Sequence, residues 1–409
     1  MMAVRFTRST PETGEPSTLR CAYIRATKWG RGEHKNVACR GYINQLSRIG
    51  GNMRTTIQAI AAKSARLKDY KFRNLYRLLN EENLFYAWSL LNKNSASGVD
   101  KVTAREYEQN LRENIKGLAE RLKRRGYRAT LVKRVYIPKG KDKVRPLGLP
   151  SLEDKLVQIV VAQILSAIFE PEFLPFSFGY RPERGPQDAV MEMSDELYGN
   201  RHNYVVEADI KGYFDSIDHT WLIRMLEEKI SDVQFIRLIG KWLKAGILEP
   251  DGGVVHPVTG TPQGGIVSPV LANIYLHQRH FEEMPLALDL WFEKVVRKHC
   301  EGKTYIIRFA DDFVCSFQYK RDAQKFYRVL PKRLKKFALS LADDKTRIIP
   351  FSRYQPYGIM SFDFLGFEYA YAYSTIRKNL LSVGVPAERN FVHLFSISRP
   401  GAKSIVMSG

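Results

Sequence analysis

Two aspartates stand side by side between apolar runs in IIRFADDFVC, residues 306–315. The flanking residues are strand formers, so the stretch reads as a hairpin of strands near 305–309 and 313–317 with Asp311 and Asp312 at its turn. Aspartate favours turns for its own backbone hydrogen bonding, and a buried hairpin tip accounts for the pair as well as a metal site does. A third carboxylate sharpens the choice. In NYVVEADI, residues 203–210, Val206, Ala208 and Ile210 alternate with Val205, Glu207 and Asp209. The small apolar set suits a core, which leaves Asp209 on the other face at the end of the strand. If strand and hairpin are neighbours in one sheet, three carboxylates converge. Like charges about 4 Å apart repel by roughly 4 kcal/mol at an effective dielectric near 20. Either one carboxyl keeps its proton or cations lie between them. Oxygen ligands without nearby His or Cys suit Mg²⁺. Two such ions about 3.5–4 Å apart support an in-line phosphoryl displacement.

The elements that must position these residues are helices and strands mixed without regular βαβ alternation, which points to an α+β fold. A helical pattern begins near residue 56 and runs through FRNLYRLLNEENLFYAWSLL (72–91). The polar turn NKNSASGVD (92–100) and a second helix to about Arg125 follow. ATLVKRVYIPKGKDKVRPLGLP (129–150) reads as two strands around a basic turn. In KLVQIVVAQILSAIF (155–169) the apolar residues recur at helical spacing, while Gln158, Gln163 and Ser166 interrupt it and it is too short to span a bilayer. It is a buried helix, and Ser151 with Asp154 resembles a capping box at its start. FSFGYRPERG (176–185) is a Gly/Pro loop, and helices fill roughly 218–245. PVTGTPQGGIVSPVLANIYLH (257–277) is a loop feeding a helix. A helix near 321–340 and a last strand near FDFLGFEY (362–369) complete the pattern.

The 409 residues carry 64 Lys plus Arg against 43 Asp plus Glu, a net charge of +21 that favours a polyanionic partner through counterion release. The four cysteines, Cys21, Cys39, Cys300 and Cys315, lack zinc-type spacing and read as reduced thiols, as in a cytoplasmic protein. Residues 1–54 read as a basic, unstructured extension.

Three stretches, EADIKGYFDSIDH (207–219), TPQGGIVSPVLANIYLH (261–277) and RFADDFVCSF (308–317), resemble polymerase motifs A, B and C in their order. With RVYIPKGKDKVRPLGLPSLEDKLVQ (134–158), FSFGYRPERGPQDAV (176–190), DDKTRIIPFS (343–352) and FDFLGFEY (362–369), the chain resembles a bacterial group II intron reverse transcriptase/maturase. NKNSASGVDKVT (92–103) resembles the extra N-terminal block of non-long-terminal-repeat enzymes. The likeness covers roughly 56–370, and Phe309 stands where the family usually has Tyr.

The resemblance implies a right-hand polymerase: an N-terminal block and fingers over 55–202, a palm with an antiparallel sheet over 203–370, and a short atypical tail over 371–409 in place of most of the thumb and maturase region. A truncated copy is therefore expected. The implied reaction is RNA-directed DNA synthesis with two Mg²⁺ ions (Mn²⁺ as a substitute). Its partners would be an RNA template such as the intron's own RNA, a DNA primer or target, and dNTPs, with no membrane. Asp209 and Asp311 would be the principal metal ligands, Asp312 a supporting carboxylate and the Ile210 carbonyl a backbone ligand. Lys139 and Arg145 would clamp the triphosphate. Phe214 would lie beneath the sugar, Gln263 and Gly264 against the nascent pair, and Lys345 would protonate pyrophosphate. Arg181, with Tyr180 and Arg184, and RLKRRGYR (121–128) would touch the template. Asp215 and Asp218 are helix-start residues. Two other readings fit the same residues: a non-polymerising RNA-binding splicing helper or remnant, and a domesticated reverse transcriptase in phage defence.

Overall fold

Residues 203–210 form the strand that their alternation predicts, and the site depends on what pairs with it. The computed structural model describes residues 40–138, 144–277, 285–352, 360–373 and 392–398, with 40–52, 370–373 and 392–398 described by their backbone alone. Among these the strands, in chain order, are β1 (Val132–Pro138), β2 (Val144–Leu149), β3 (Tyr204–Asp209), β4 (Ile247–Leu248), β5 (Val254–Val255), β6 (Thr304–Phe309), β7 (Asp312–Phe317), β8 (Arg347–Pro350), β9 (Phe362–Phe364), β10 (Phe367–Tyr373) and β11 (Val392–Ser398).

The central sheet has the order β6-β7-β3-β8, and every neighbouring pair in it is antiparallel. Val206 and Ala208 enter a large apolar core, whereas Val205 meets Ile307, Val314, Phe351, Phe362 and Tyr369 in a second cluster on the opposite face. The sheet is therefore covered on both sides, which fixes its register. A second sheet, β2-β1-β4-β5, carries the basic hairpin. The fold is α+β, with the antiparallel palm sheet of a right-hand polymerase. The large core is continuous from Met53 to Leu339, so helices N-terminal to residue 203 pack with the palm in one apolar cluster.

The helix Leu152–Phe169 is buried along nearly its whole length. Ser151 accepts the Asp154 backbone N–H, as expected, but the reciprocal half of the capping box is missing. The Asp154 carboxylate instead accepts from the hydroxyls of Tyr127 and Thr130 and from the Thr130 N–H. Buried Lys155 donates to Ser95 Oγ and the Ala96 carbonyl, and Gln158 accepts the Ile266 N–H. This one helix thus holds both the 92–100 turn and the loop before residue 268.

Three expectations need correction. The first helix spans Arg40–Arg66 and so crosses the expected boundary at residue 54. The 72–91 stretch is not one helix: Asn80 adopts extended backbone, caps the Asn83 N–H and starts a new helix, Glu81–Leu90. FDFLGFEY is a hairpin of β9 and β10, because Leu365 and Gly366 both have positive φ, 54° and 82°, as a tight two-residue turn requires. In the tail, β11 pairs antiparallel along the whole of β10. Among the described residues no helix is long and apolar enough to cross a membrane.

Candidate active site

The antiparallel pairing of β3 with β7 sets Asp209 directly opposite Asp312, and β6 with β7 sets Phe309 opposite the same residue. Ala310 and Asp311 are then the two turn residues, and Ala310 has φ 60°. The three carboxylates are therefore delivered by one register: two across a strand pair and one at the adjoining tip. Gly179 crosses this tip so closely that a Cβ there would lie 2.3 Å from the Ala310 nitrogen. The loop carrying Gly179 is fixed to β6 by reciprocal bonds, Phe178 N–H to the Arg308 carbonyl and Arg308 N–H to the Phe176 carbonyl, at 2.8 and 2.9 Å.

Charge crowding has the consequence that Coulomb's law requires. Asp312 keeps part of its surface open to solvent. Even so, its carboxyl is pushed up to about 7, first by burial among the palm side chains, then by the hydrogen bond it shares with Asp209 and by the charges of Asp311 and Asp209. Asp311 is also raised, by burial first and then by Asp209, against the opposing charges of Arg145 and Lys345. Lys345 Nζ lies 2.5 Å from Asp209 Oδ2. That contact raises the lysine's own pKa, its hydrogen bond to Asp209 being the largest cause.

The Lys345 ammonium thus stands on Asp209, and the Asp312 carboxyl is shifted toward its protonated form. Among the described residues no group of three or more His, Cys, Asp or Glu side chains stands close enough to hold a metal as it is. Mg²⁺ keeps several waters and needs only one or two protein carboxylates. Asp209 and Asp311 are two such carboxylates, so the donor set is of the kind that suits the ion. Ile210 bridges Leu341 through its neighbours: Ala342 N–H bonds the Asp209 carbonyl and Lys211 N–H the Ser340 carbonyl. In an antiparallel bridge of this kind the carbonyl of Ile210 itself points to the opposite edge, the β7 side.

A chain of polar contacts lines the neighbouring wall. Arg145 Nε donates to Gln263 Oε1 at 3.2 Å, and Gln263 Nε2 donates to Asp215 Oδ2 at 3.3 Å. Asp215 is thus more than a helix-start residue; burial raises its carboxyl, while Arg134 and Gln263 oppose the shift. Asp218 does cap its helix, accepting the Trp221 N–H. Gly264, at φ 109°, lies against the backbone of Gly148, where a Cβ would meet the carbonyl oxygen at 2.6 Å. Glycine there lets the loop approach the strand that carries Arg145. Phe214 is buried, with its ring edge-on to Tyr180 at 6.1 Å. Tyr180 is exposed at φ 59°, its hydroxyl pKa raised by burial first and by Asp311 next. Beyond Asp209 a cavity of about 320 Å³ is lined by Glu207, Asp312, Asp344, Arg347, Asp363 and Leu365.

Arg181 is a correction. Its guanidinium is turned inward, with a side chain 5% exposed, and is bound to Glu170 and to the carbonyls of Leu174 and Ser177. With these bonds made it braces the loop instead of presenting charge to a template. Arg184 donates to the Pro175 carbonyl and stacks over Phe178, and Arg121 pairs with Glu153. Lys139 lies outside the described residues. Sequence reasoning passed over Arg308 and Asp289, which form a fully buried ion pair beneath the turn. A charged residue inside each of two apolar runs was the available signal.

Residues 137–369, more than half of the chain, match the family model described as reverse transcriptase (RNA-dependent DNA polymerase). Group II intron-encoded protein LtrA of Lactococcus lactis subsp. cremoris is 40% identical over 243 residues, 58% of this chain and 39% of that protein. Protein YkfC of Escherichia coli K12 is 34% identical over 239 residues, 53% of this chain and 62% of that protein. The chain thus spans between about two fifths and three fifths of the length of these relatives. A telomerase structure from Candida albicans superposes with a TM-score of 0.43 at 14% identity, covering 60% of this chain and 46% of that one, too distant to carry weight. With the palm sheet, its paired carboxylates and the family match in agreement, the chain belongs to the reverse transcriptase family.

Proposed function

We propose that this chain is an RNA-directed DNA polymerase of group II intron type, adding dNMP units to a primer 3′-OH on an RNA template in the service of intron splicing and retrohoming. The observation that carries the proposal is the register pairing of Asp209 with Asp312, with Asp311 at the adjoining turn. Two Mg²⁺ ions, when bound, supply Lewis acidity to the attacking primer oxygen and to the triphosphate. Asp209 and Asp311 would hold them, with Asp312 in support and the Ile210 carbonyl as a backbone ligand. Lys345 leaves Asp209 and gives its proton to departing pyrophosphate.

Arg145, together with Lys139, neutralises the triphosphate, a task suited to a forked guanidinium beside a point-charge lysine. Gln263, steadied by Asp215, borders the nascent base pair with Gly264. Phe214 sits under the sugar and bars a 2′-hydroxyl, while Tyr180 covers it from the template side. The net charge of +21 supports a nucleic-acid partner, with group II intron RNA as template and a DNA primer or target. The test is primer extension on an RNA template with Mg²⁺. Wild-type chain extends the primer, and Asp311→Ala loses several kcal/mol of transition-state stabilisation, on the order of 10³-fold in rate. Absence of extension by the wild type refutes the proposal.

A further inference from the structure

Arg308 is the penultimate residue of β6, fully buried, and all five of its N–H donors are used. Nε and Nη2 form a fork on Asp289 at 2.7 Å each. Nη2 also reaches Ser177 Oγ at 2.7 Å, and Nη1 reaches Asn273 Oδ1 at 3.1 Å and the Ala310 carbonyl at 3.0 Å. Asn273 in turn donates through Nδ2 to the Gly179 carbonyl at 2.7 Å. Gly179 then abuts the Ala310 backbone. The contacts close a ring from Arg308 to Ala310, Gly179, Asn273 and back. Burial alone raises the Asp289 carboxyl, but the Arg308 charge, His277 at 3.8 Å and the Arg308 hydrogen bonds outweigh it and lower it.

A buried ion pair is poor insurance for stability, because a well-packed apolar replacement often does as well. What an apolar residue lacks is a donor for the carbonyl of Ala310, the residue immediately before Asp311. We infer that Arg308 is a positioning residue for the divalent-cation site: with Asn273 and Gly179 it sets the turn that aims Asp311 and Asp312, and it ties that turn to the loop bearing Tyr180. The inference rests on the polymerase proposal for its purpose, but its test does not.

The experiment uses the full chain and Mn²⁺ alone, with bound metal read by electron paramagnetic resonance and folding by thermal melting. Asn273→Ala opens the ring and leaves the Arg308–Asp289 pair in place; it weakens Mn²⁺ binding by about tenfold, in the range of other supporting residues around metal ligands. Gly179→Ala, which forces a Cβ onto Ala310, does the same from the outer side, and Arg308→Lys has the largest effect. Folded Asn273→Ala and Gly179→Ala chains that bind Mn²⁺ as the wild type does overturn the inference. So does a wild type that binds no Mn²⁺, and so does an Asn273→Ala chain that cannot fold, which would assign the ring to stability. Primer extension by the same wild-type preparation judges the polymerase proposal separately. Extension with unchanged variant affinities removes only the positioning role, and weakened affinities without extension remove only the polymerase.

Discussion

The hairpin β6–β7 is buried along both strands up to its tip, whereas the hairpin β1–β2 loses burial as it leaves the body of the protein. In the first, Ile306, Ile307, Phe313 and Val314 are buried, and an ion pair lies beneath the turn. In the second, Val132 is buried but Tyr136, Ile137 and Val144 are exposed, and the side chain of Arg145 meets Gln263. Ligands for a small hard cation tolerate little displacement, and the proposed ligands sit on the braced hairpin. Under the proposed reading, the cation that meets the triphosphate, Arg145, sits instead on the less buried hairpin.

The contrast can be broken at either hairpin. Asp311→Glu keeps the charge but moves it by one methylene; single-turnover incorporation should fall on the order of 100-fold, with KM for dNTP little changed. Arg145→Lys, on the less buried hairpin, should raise KM for dNTP by about tenfold, the cost of roughly one charge-assisted hydrogen bond, and leave kcat close to wild type. An equal loss from both substitutions would erase the distinction between the two hairpins. Phe214→Ala should act on selectivity and not on rate, raising ribonucleotide over deoxynucleotide incorporation; unchanged sugar discrimination would remove Phe214 from that role.

The smallest effect concerns stability. Asp312 binds its proton more tightly folded than unfolded, and Asp311 shifts the same way. The folded chain therefore holds more protons, and metal-free stability falls as pH rises from about 4 toward about 7. Asp209 adds to both shifts, while Lys345, facing the same groups, tempers the slope. Melting in EDTA across that range should show the decline, and Mg²⁺ should reduce it.

The carboxylate frame was legible because its parts are local: an alternating strand, an acidic hairpin turn and a buried helix each announce themselves within ten to twenty residues. That β3 lies beside β7 was not, since pairing between segments about a hundred residues apart depends on packing over both faces of the sheet. Arg181 was misjudged because sequence shows a charge but not the Glu170 carboxylate and two carbonyls that draw it inward. The ring around Arg308 was legible in principle. Arg308 sits among Ile306, Ile307 and Phe309, and Asp289 within LALDLW, and a buried charge in each demands a partner. The strand character of β11 was also within reach, because NFVHLFSIS has strand-forming residues, but sequence alone does not show that it returns along β10.

The most direct measurement is an anomalous-scattering map from crystals of the chain grown with Mn²⁺, an RNA–DNA primer–template and a non-reactive dNTP. The account predicts two manganese peaks at coordination distance from Asp209 and Asp311, with the Lys345 ammonium displaced from Asp209. A map with Lys345 still paired to Asp209 and no metal between the carboxylates would contradict it.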